Sequence, residues 1–182
     1  MPRRPTPLHR AGLVLAAFAL VTACAAREAP APDRQPQPTA SPTASVVRAQ
    51  TTLPDGFTVF LDVPETDSEK AEGLMYRASL PEQQGMLFLL SHPSRPSLWM
   101  KDTWIPLDVV FLDGRGRVLE VLPDLPPCRD EPCPQYSPAE PASAILEVAA
   151  GTTARHGVAP GTALTFAHVT GYPETGSGLT PE

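Results

Sequence analysis

The densest run of chemically able side chains is Trp99-Met100-Lys101-Asp102-Thr103, with Asp108 downstream and Arg77 upstream of it. A polar turn flanked by aromatic rings can form the rim of a ligand site, with Lys101 meeting an anion and Trp99 or Trp104 offering a face to stack on. The same residues also make an ordinary turn, in which an Asp caps backbone amides and a Lys stands in water, and this structural reading is the commoner one. Asp102 and Asp108 supply the two carboxylates that glycoside cleavage needs, but their spacing along the chain sets no distance between them in space. The chain contains no Gly-x-Ser-x-Gly elbow, no phosphate-binding glycine loop and no His-Glu-x-x-His motif. His92, His156 and His168 stand apart from one another, and a lone histidine is more often a surface or satisfied core residue than a base. No residue is assigned a catalytic role on these grounds.

Met75, Met86 and Met100 are the methionines other than Met1. With His92 they would suit Cu(I), although methionine more often fills irregular gaps in a core, and no metal or cofactor is expected. Cys128 and Cys133 enclose Arg-Asp-Glu-Pro. In an oxidising compartment such a pair is most simply a disulfide, stabilising by about 2 kcal/mol for so short a loop. Zinc would need about four ligands, and the common redox dithiol motif has two intervening residues rather than four.

The third cysteine belongs to a different pattern. Residues 1–10 are basic, and Ala11 to Val21 is an uninterrupted apolar run, too short to span a bilayer, which takes about 20 residues, but of the length of a signal-peptide core. Val21-Thr22-Ala23-Cys24 follows and resembles the lipobox of bacterial lipoproteins, which implies cleavage after residue 23 and lipidation of Cys24. Ala25, where lipoproteins retained at the inner membrane often carry Asp, directs the expectation toward the outer membrane or cell surface. Ala25 to Gln50 is rich in Pro, Ala, Ser, Thr and Gln and cannot bury enough surface to fold, so residues 24–52 are expected to form a lipidated tether. Loss of Arg3, Arg4 and Arg10 with the export segment leaves 11 basic against 20 acidic residues, a net charge of -9. So acidic a chain argues against nucleic acid as a partner. The partners expected are the membrane, through the anchor, and an envelope ligand or protein of unspecified kind.

The elements that must position these residues are mostly strands. Proline, at 24 of 182 residues, far exceeds its usual share of about 5% and excludes a large helical fold. Phe57, Val59, Leu61 and Val63 alternate with more polar neighbours as in a half-buried strand. Thr66 and Glu69 have the spacing of a capping box, and Ala71, Leu74, Met75 and Ala78 continue at helical spacing, which predicts one packed helix. Gly85 to Leu90, Ser97 to Met100, Leu107 to Leu112, Arg117 to Leu122, Ala144 to Val148 and Ala163 to Phe166 read as further strands. Asp113-Gly114-Arg115-Gly116 reads as a hairpin turn, because Asp-Gly tolerates positive φ. Thr152 to His156 suits one helical turn. The expected architecture is a single domain over residues 53–168, mainly β with one packed helix, a compact antiparallel sandwich or small barrel, followed by a flexible tail over 169–182.

Glu72 to Arg77, Gly85 to Phe88, Trp99 to Thr103, Ile105 to Asp108, Pro126-Pro127-Cys128 with Cys133 to Tyr136, and Leu146 to Gly151 resemble, in order, the signature blocks of the domain of unknown function 192 family. Asp102 stands where that family usually has Asn, and Trp104 where a smaller apolar residue is common. The resemblance implies a compact, mainly β, jelly-roll-like domain and leaves the activity open. The function expected is a lipid-anchored envelope protein whose domain binds or supports something without catalysis. The alternatives are an envelope carbohydrate hydrolase using Asp102 and Asp108 and, beyond that, the Cu(I) site.

Overall fold

A computed structural model describes residues 47–173. Cys24, the export segment, the tether before residue 47 and the tail beyond residue 173 lie outside the described residues. In chain order the elements are β1 (Gln50–Thr52), β2 (Thr58–Asp62), α1 (Asp67–Glu72), β3 (Gln84–Ser94), β4 (Leu98–Trp99), β5 (Leu107–Leu112), β6 (Val118–Leu125), β7 (Gln135–Tyr136), β8 (Ala142–Ala149), α2 (Thr152–Arg155) and β9 (Thr165–Ala167). Seven strands form one sheet in the order β6-β5-β8-β3-β2-β1-β9, curled into a half-barrel, and β4 pairs with β7 in a separate ribbon. The mainly β expectation holds, with one difference in strand direction. β2 and β3 run parallel, which a tight hairpin cannot achieve, and α1 lies in the crossover that joins them.

The central strands are buried on both faces because each feeds two cores. Leu87 of β3, Val110 and Leu112 of β5, and Leu146 and Val148 of β8 pack with Val59 and Leu61. One residue out of phase, Met86, Val109, Phe111 and Ile145 pack on the opposite face with Leu74, Met100 and Leu107. β5 is buried throughout, so apart from Asp108 it reads as an apolar run rather than an alternating one.

α1 begins as its sequence predicts. The Thr66 hydroxyl accepts from the Glu69 N–H at 3.2 Å, and the Glu69 carboxylate accepts from the Thr66 N–H at 2.9 Å. It ends sooner than the apolar spacing suggested. Gly73 adopts φ +52, and its N–H donates to the Glu69 carbonyl, so the chain leaves the helix and turns Leu74 into the core, where it is 2% exposed. A Cβ at position 73 would lie 3.3 Å from Phe88. None of α1's own residues is buried; the packing expected of the helix belongs to the turn after it.

Both domain boundaries lie further out than the sequence suggested. Thr51 of β1 is fully buried, and its hydroxyl donates to the Thr165 carbonyl of β9 at 3.1 Å. Three residues are too few to show a period, so β1 could not be told from tether. Tyr172, placed in the tail, is buried against Phe166, and its hydroxyl donates to the Asp113 carbonyl at 2.8 Å. In the turn it holds, Gly116 rather than Gly114 takes the positive φ, at +77.

Candidate ligand-binding site

The Trp99 to Thr103 turn is fixed by backbone bonds to the cysteine loop. Cys128 and Cys133 form a disulfide with Cα atoms 5.8 Å apart. The Met100 carbonyl accepts from Thr103 and Cys128, each at 3.1 Å, and the Asp102 N–H donates to the Cys128 carbonyl at 2.9 Å. Asp102 (φ +53) and Tyr76 (φ +61) both adopt left-handed backbone, a conformation costly for residues with a Cβ unless their surroundings hold it. They hold each other. The Tyr76 N–H donates to the Asp102 carbonyl at 2.9 Å, and the Tyr76 hydroxyl to its carboxylate at 3.1 Å. Lys101 forms an ion pair with Glu131 of the cysteine loop and lies 5.6 Å over the Trp99 ring. The Glu131 hydrogen bond holds the Lys101 ammonium above its ordinary pKa.

The six candidate rim residues do not converge. Trp99 and Thr103 line a cavity of about 350 Å³ between the end of α1 and the sheet. Lys101 and Asp102 belong to the adjoining turn. Arg77 pairs with Asp62 at 3.0 Å and lines a smaller, more polar pocket of about 260 Å³. Asp108 is not at a rim at all. It is 0% exposed, and its carboxylate accepts from the N–H groups of Asp124, Gly151 and Thr153 at 2.9, 3.1 and 2.9 Å and from the Thr153 hydroxyl at 2.6 Å. Burial opposes its ionisation more than any other single influence, but these bonds together hold the carboxyl below its ordinary pKa. Asp108 is a structural carboxylate tying β5 to the start of α2, so its place in the expected rim and acid pair is corrected. Met86 and Met100 are buried in one apolar cluster, and Met75 lines the cavity with Met100. His92 lies at the surface, hydrogen-bonded to Ser91.

The residue that gives the cavity chemistry is Glu147. On β8 it opposes Met86 of β3 and Val109 of β5, sharing a sheet face with Ile145. Phe88, Leu98, Met100, Leu107 and Ile145 line the same cavity. The Glu147 side chain is half-buried, no protein donor among the described residues reaches its carboxyl, and desolvation pushes the pKa up to about 7. Desolvation without compensation has this sign for an acid. Glu147 is not among the residues expected at a site, although the sequence carries a signal: in Ala144-Ile145-Leu146-Glu147-Val148 an acid occupies a core phase of a strand apolar on both sides. Lys70 and Glu72 of α1 are the other ionisable residues of the wall, and both are exposed.

Fold and site together define a mainly β domain with an apolar cavity on one sheet face and one half-buried acid, Glu147, in its wall without a donor among the described residues. Residues 49–166 match the DUF192 family model, described as uncharacterized ACR, and the chain belongs to that family. Two crystal structures are similar to it. One is a protein of unknown function from Novosphingobium aromaticivorans, 30% identical, with a TM-score of 0.58 over 69% of this chain and 89% of that one. The other, from Sinorhizobium meliloti and described as a candidate transcription regulator, is 30% identical with a TM-score of 0.58 over 65% of this chain and 92% of that one. No curated protein matches the sequence.

Proposed function

We propose that this is a non-catalytic binding domain displayed in the cell envelope from a lipid anchor at Cys24, and that its ligand occupies the cavity beside Glu147. The observation that carries this reading is a carboxyl without a protein partner in an apolar wall. Folding places polar groups in such surroundings only at a cost, and sites of binding are where that cost recurs. The cavity lies within the usual size range of small-molecule sites, roughly 300–1,000 Å³. The Trp99 to Thr103 turn supports the same reading, since its polar groups are spent on the cysteine loop and on Tyr76. A hydrolase built on Asp102 and Asp108 has lost its pair, because Asp108 is enclosed by four donors.

The test uses the full chain carrying Cys24→Ser, which keeps acyl chains and detergent out of the measurement. N-phenyl-1-naphthylamine, a neutral aromatic fluorophore, should show saturable one-to-one enhancement. Ala71→Trp, a substitution at an exposed position on the cavity wall, should abolish it while the urea midpoint stays unchanged. Absence of saturable binding, or binding indifferent to Ala71→Trp, overturns the cavity reading. The anchor is tested separately, by membrane fractionation of the unsubstituted chain against Cys24→Ser: the former should sediment with membranes and the latter be released or left unprocessed.

A further inference from the structure

Resting on the cavity as a binding site, we propose that its ligand is an organic amine, with a protonated nitrogen against Glu147 and an apolar body among Phe88, Leu98, Met100 and Ile145. Glu147 differs from other carboxylates of the domain in the donors it lacks. Asp108 receives four hydrogen bonds. Asp62 is paired with Arg48 and Arg77, and Glu82 with Arg155 and His156. Glu147 is half-buried and has no such supply from the described residues, so a bound molecule that displaces the cavity's water must bring the donor if the carboxylate is to stay charged and satisfied. An ammonium brings three N–H donors and the opposite charge.

The charge of the wall points the same way. α1 contributes Lys70 and Glu72, which offset each other at the mouth. β3, β4, β5 and the turn at Met100 and Thr103 contribute no ionisable group, and β8 contributes Glu147. The interior therefore carries one acid and no base. An anionic ligand would meet a carboxylate with no cation beside it, and a neutral apolar ligand would take the water from this half-buried acid without giving it a donor. An ammonium instead replaces the displaced water with hydrogen bonds and an opposite charge, forming an ion pair in the cavity. The proton balance follows: when Glu147 is protonated at the outset, the ammonium enters, the carboxyl gives its proton to the buffer, and the pair forms. Binding should strengthen as pH rises through the range where Glu147 ionises.

The probes are hexylamine, 1-hexanol and hexanoate, chosen for a common chain length and different heads, measured by Trp fluorescence and calorimetry on the full chain with Cys24→Ser. At pH 8 hexylamine should bind at least about tenfold more tightly than hexanol, with hexanoate weakest. Between pH 8 and pH 6 hexylamine affinity should fall by about tenfold as Glu147 protonates, with proton release seen as a buffer-dependent heat at pH 6. Glu147→Gln should remove both the preference and the pH dependence, and Ala71→Trp should remove binding. Hexanol equal to hexylamine, or a preference that survives Glu147→Gln, overturns the amine assignment. Hexylamine failing where the neutral naphthylamine binds also overturns it and leaves the cavity reading standing; failure of every probe overturns both.

Discussion

Asp108 and Glu147 are near neighbours across the β5–β8 ladder, where Asp108 opposes Val148 and Glu147 opposes Val109, yet their carboxyls meet opposite fates. Asp108 points to the face where the α2 turn presents N–H groups and a hydroxyl, and four donors hold it ionised. Glu147 points to the other face, where Met86, Ile145 and Leu107 have nothing to donate. Both lose water on folding, Asp108 wholly and Glu147 in part. What separates a structural carboxylate from a candidate binding group is the supply of partners, because desolvation costs an anion several kcal/mol unless hydrogen bonds or a cation offset it.

The largest effect expected is at Asp108. Asp108→Ala leaves the buried N–H and hydroxyl of Thr153 and the part-buried N–H groups of Gly151 and Asp124 without an acceptor, and at about 1–3 kcal/mol for each buried group the variant should lose at least about 3 kcal/mol in urea unfolding at pH 7. A loss of under about 1 kcal/mol would show that α2 re-forms its bonds without the carboxylate, and the contrast with Glu147 would fail.

Glu147→Gln should do the reverse. With a folded pKa of about 7 against an ordinary 4.5, native Glu147 binds its proton more tightly than the unfolded chain does. The wild type therefore loses stability as pH rises from about 4.5 to 7, and the deficit persists above. The glutamine variant should be more stable by about 2 kcal/mol at pH 8, somewhat less than the shift alone implies because the amide is also desolvated, and no more stable at pH 4. A variant less stable than wild type at pH 8 would mean that Glu147 has a partner.

His156 also makes stability depend on pH and must be separated from Glu147. Its Nδ1 lies 2.7 Å from Asp55, its Nε2 lies 3.2 Å from Glu82, and its ring stacks on Phe57 at 4.0 Å. The Asp55 hydrogen bond, ahead of the bond to Glu82, raises its pKa. A raised histidine contributes stability fully below its unfolded value of about 6.5 and loses it as pH rises through the folded value. His156→Gln should thus destabilise at pH 5.5, with the difference shrinking toward pH 8, whereas the Glu147→Gln difference grows over that interval. Equal pH profiles for the two variants would break the assignment.

The smallest effects belong to the surface beside the cavity. Trp99 is 49% exposed, so Trp99→Ala should cost about 1 kcal/mol, well short of the 3–5 kcal/mol of a buried aromatic. Lys101→Ala removes a solvent-screened pair and should leave the urea midpoint unmoved. Its ion pair with Glu131 is a surface contact, so a loss matching that of Asp108→Ala would contradict the exposed position of the turn.

Much of the fold was legible because its causes are local. The capping box of α1 lies within four residues, the period of β2 within seven, the apolar run of β5 within six, and the Cys128–Cys133 loop within six. The candidate site was legible only in outline: Trp99 and Thr103 reach the cavity, whereas Asp108 carries the same polar signal and is structural. Composition, strand phase, turn residues and cysteine spacing are properties of neighbours along the chain, and the sequence determined them. Tertiary structure decided the parallel pairing of β2 with β3, the membership of Gln50–Thr52 and Tyr172 in the domain, and above all the partners of each carboxylate. A carboxyl's charge depends on donors brought from distant segments. Gly151 and Thr153 lie more than forty residues from Asp108, at separations of 43 and 45, and nothing in Leu146-Glu147-Val148 reveals that no such donor arrives.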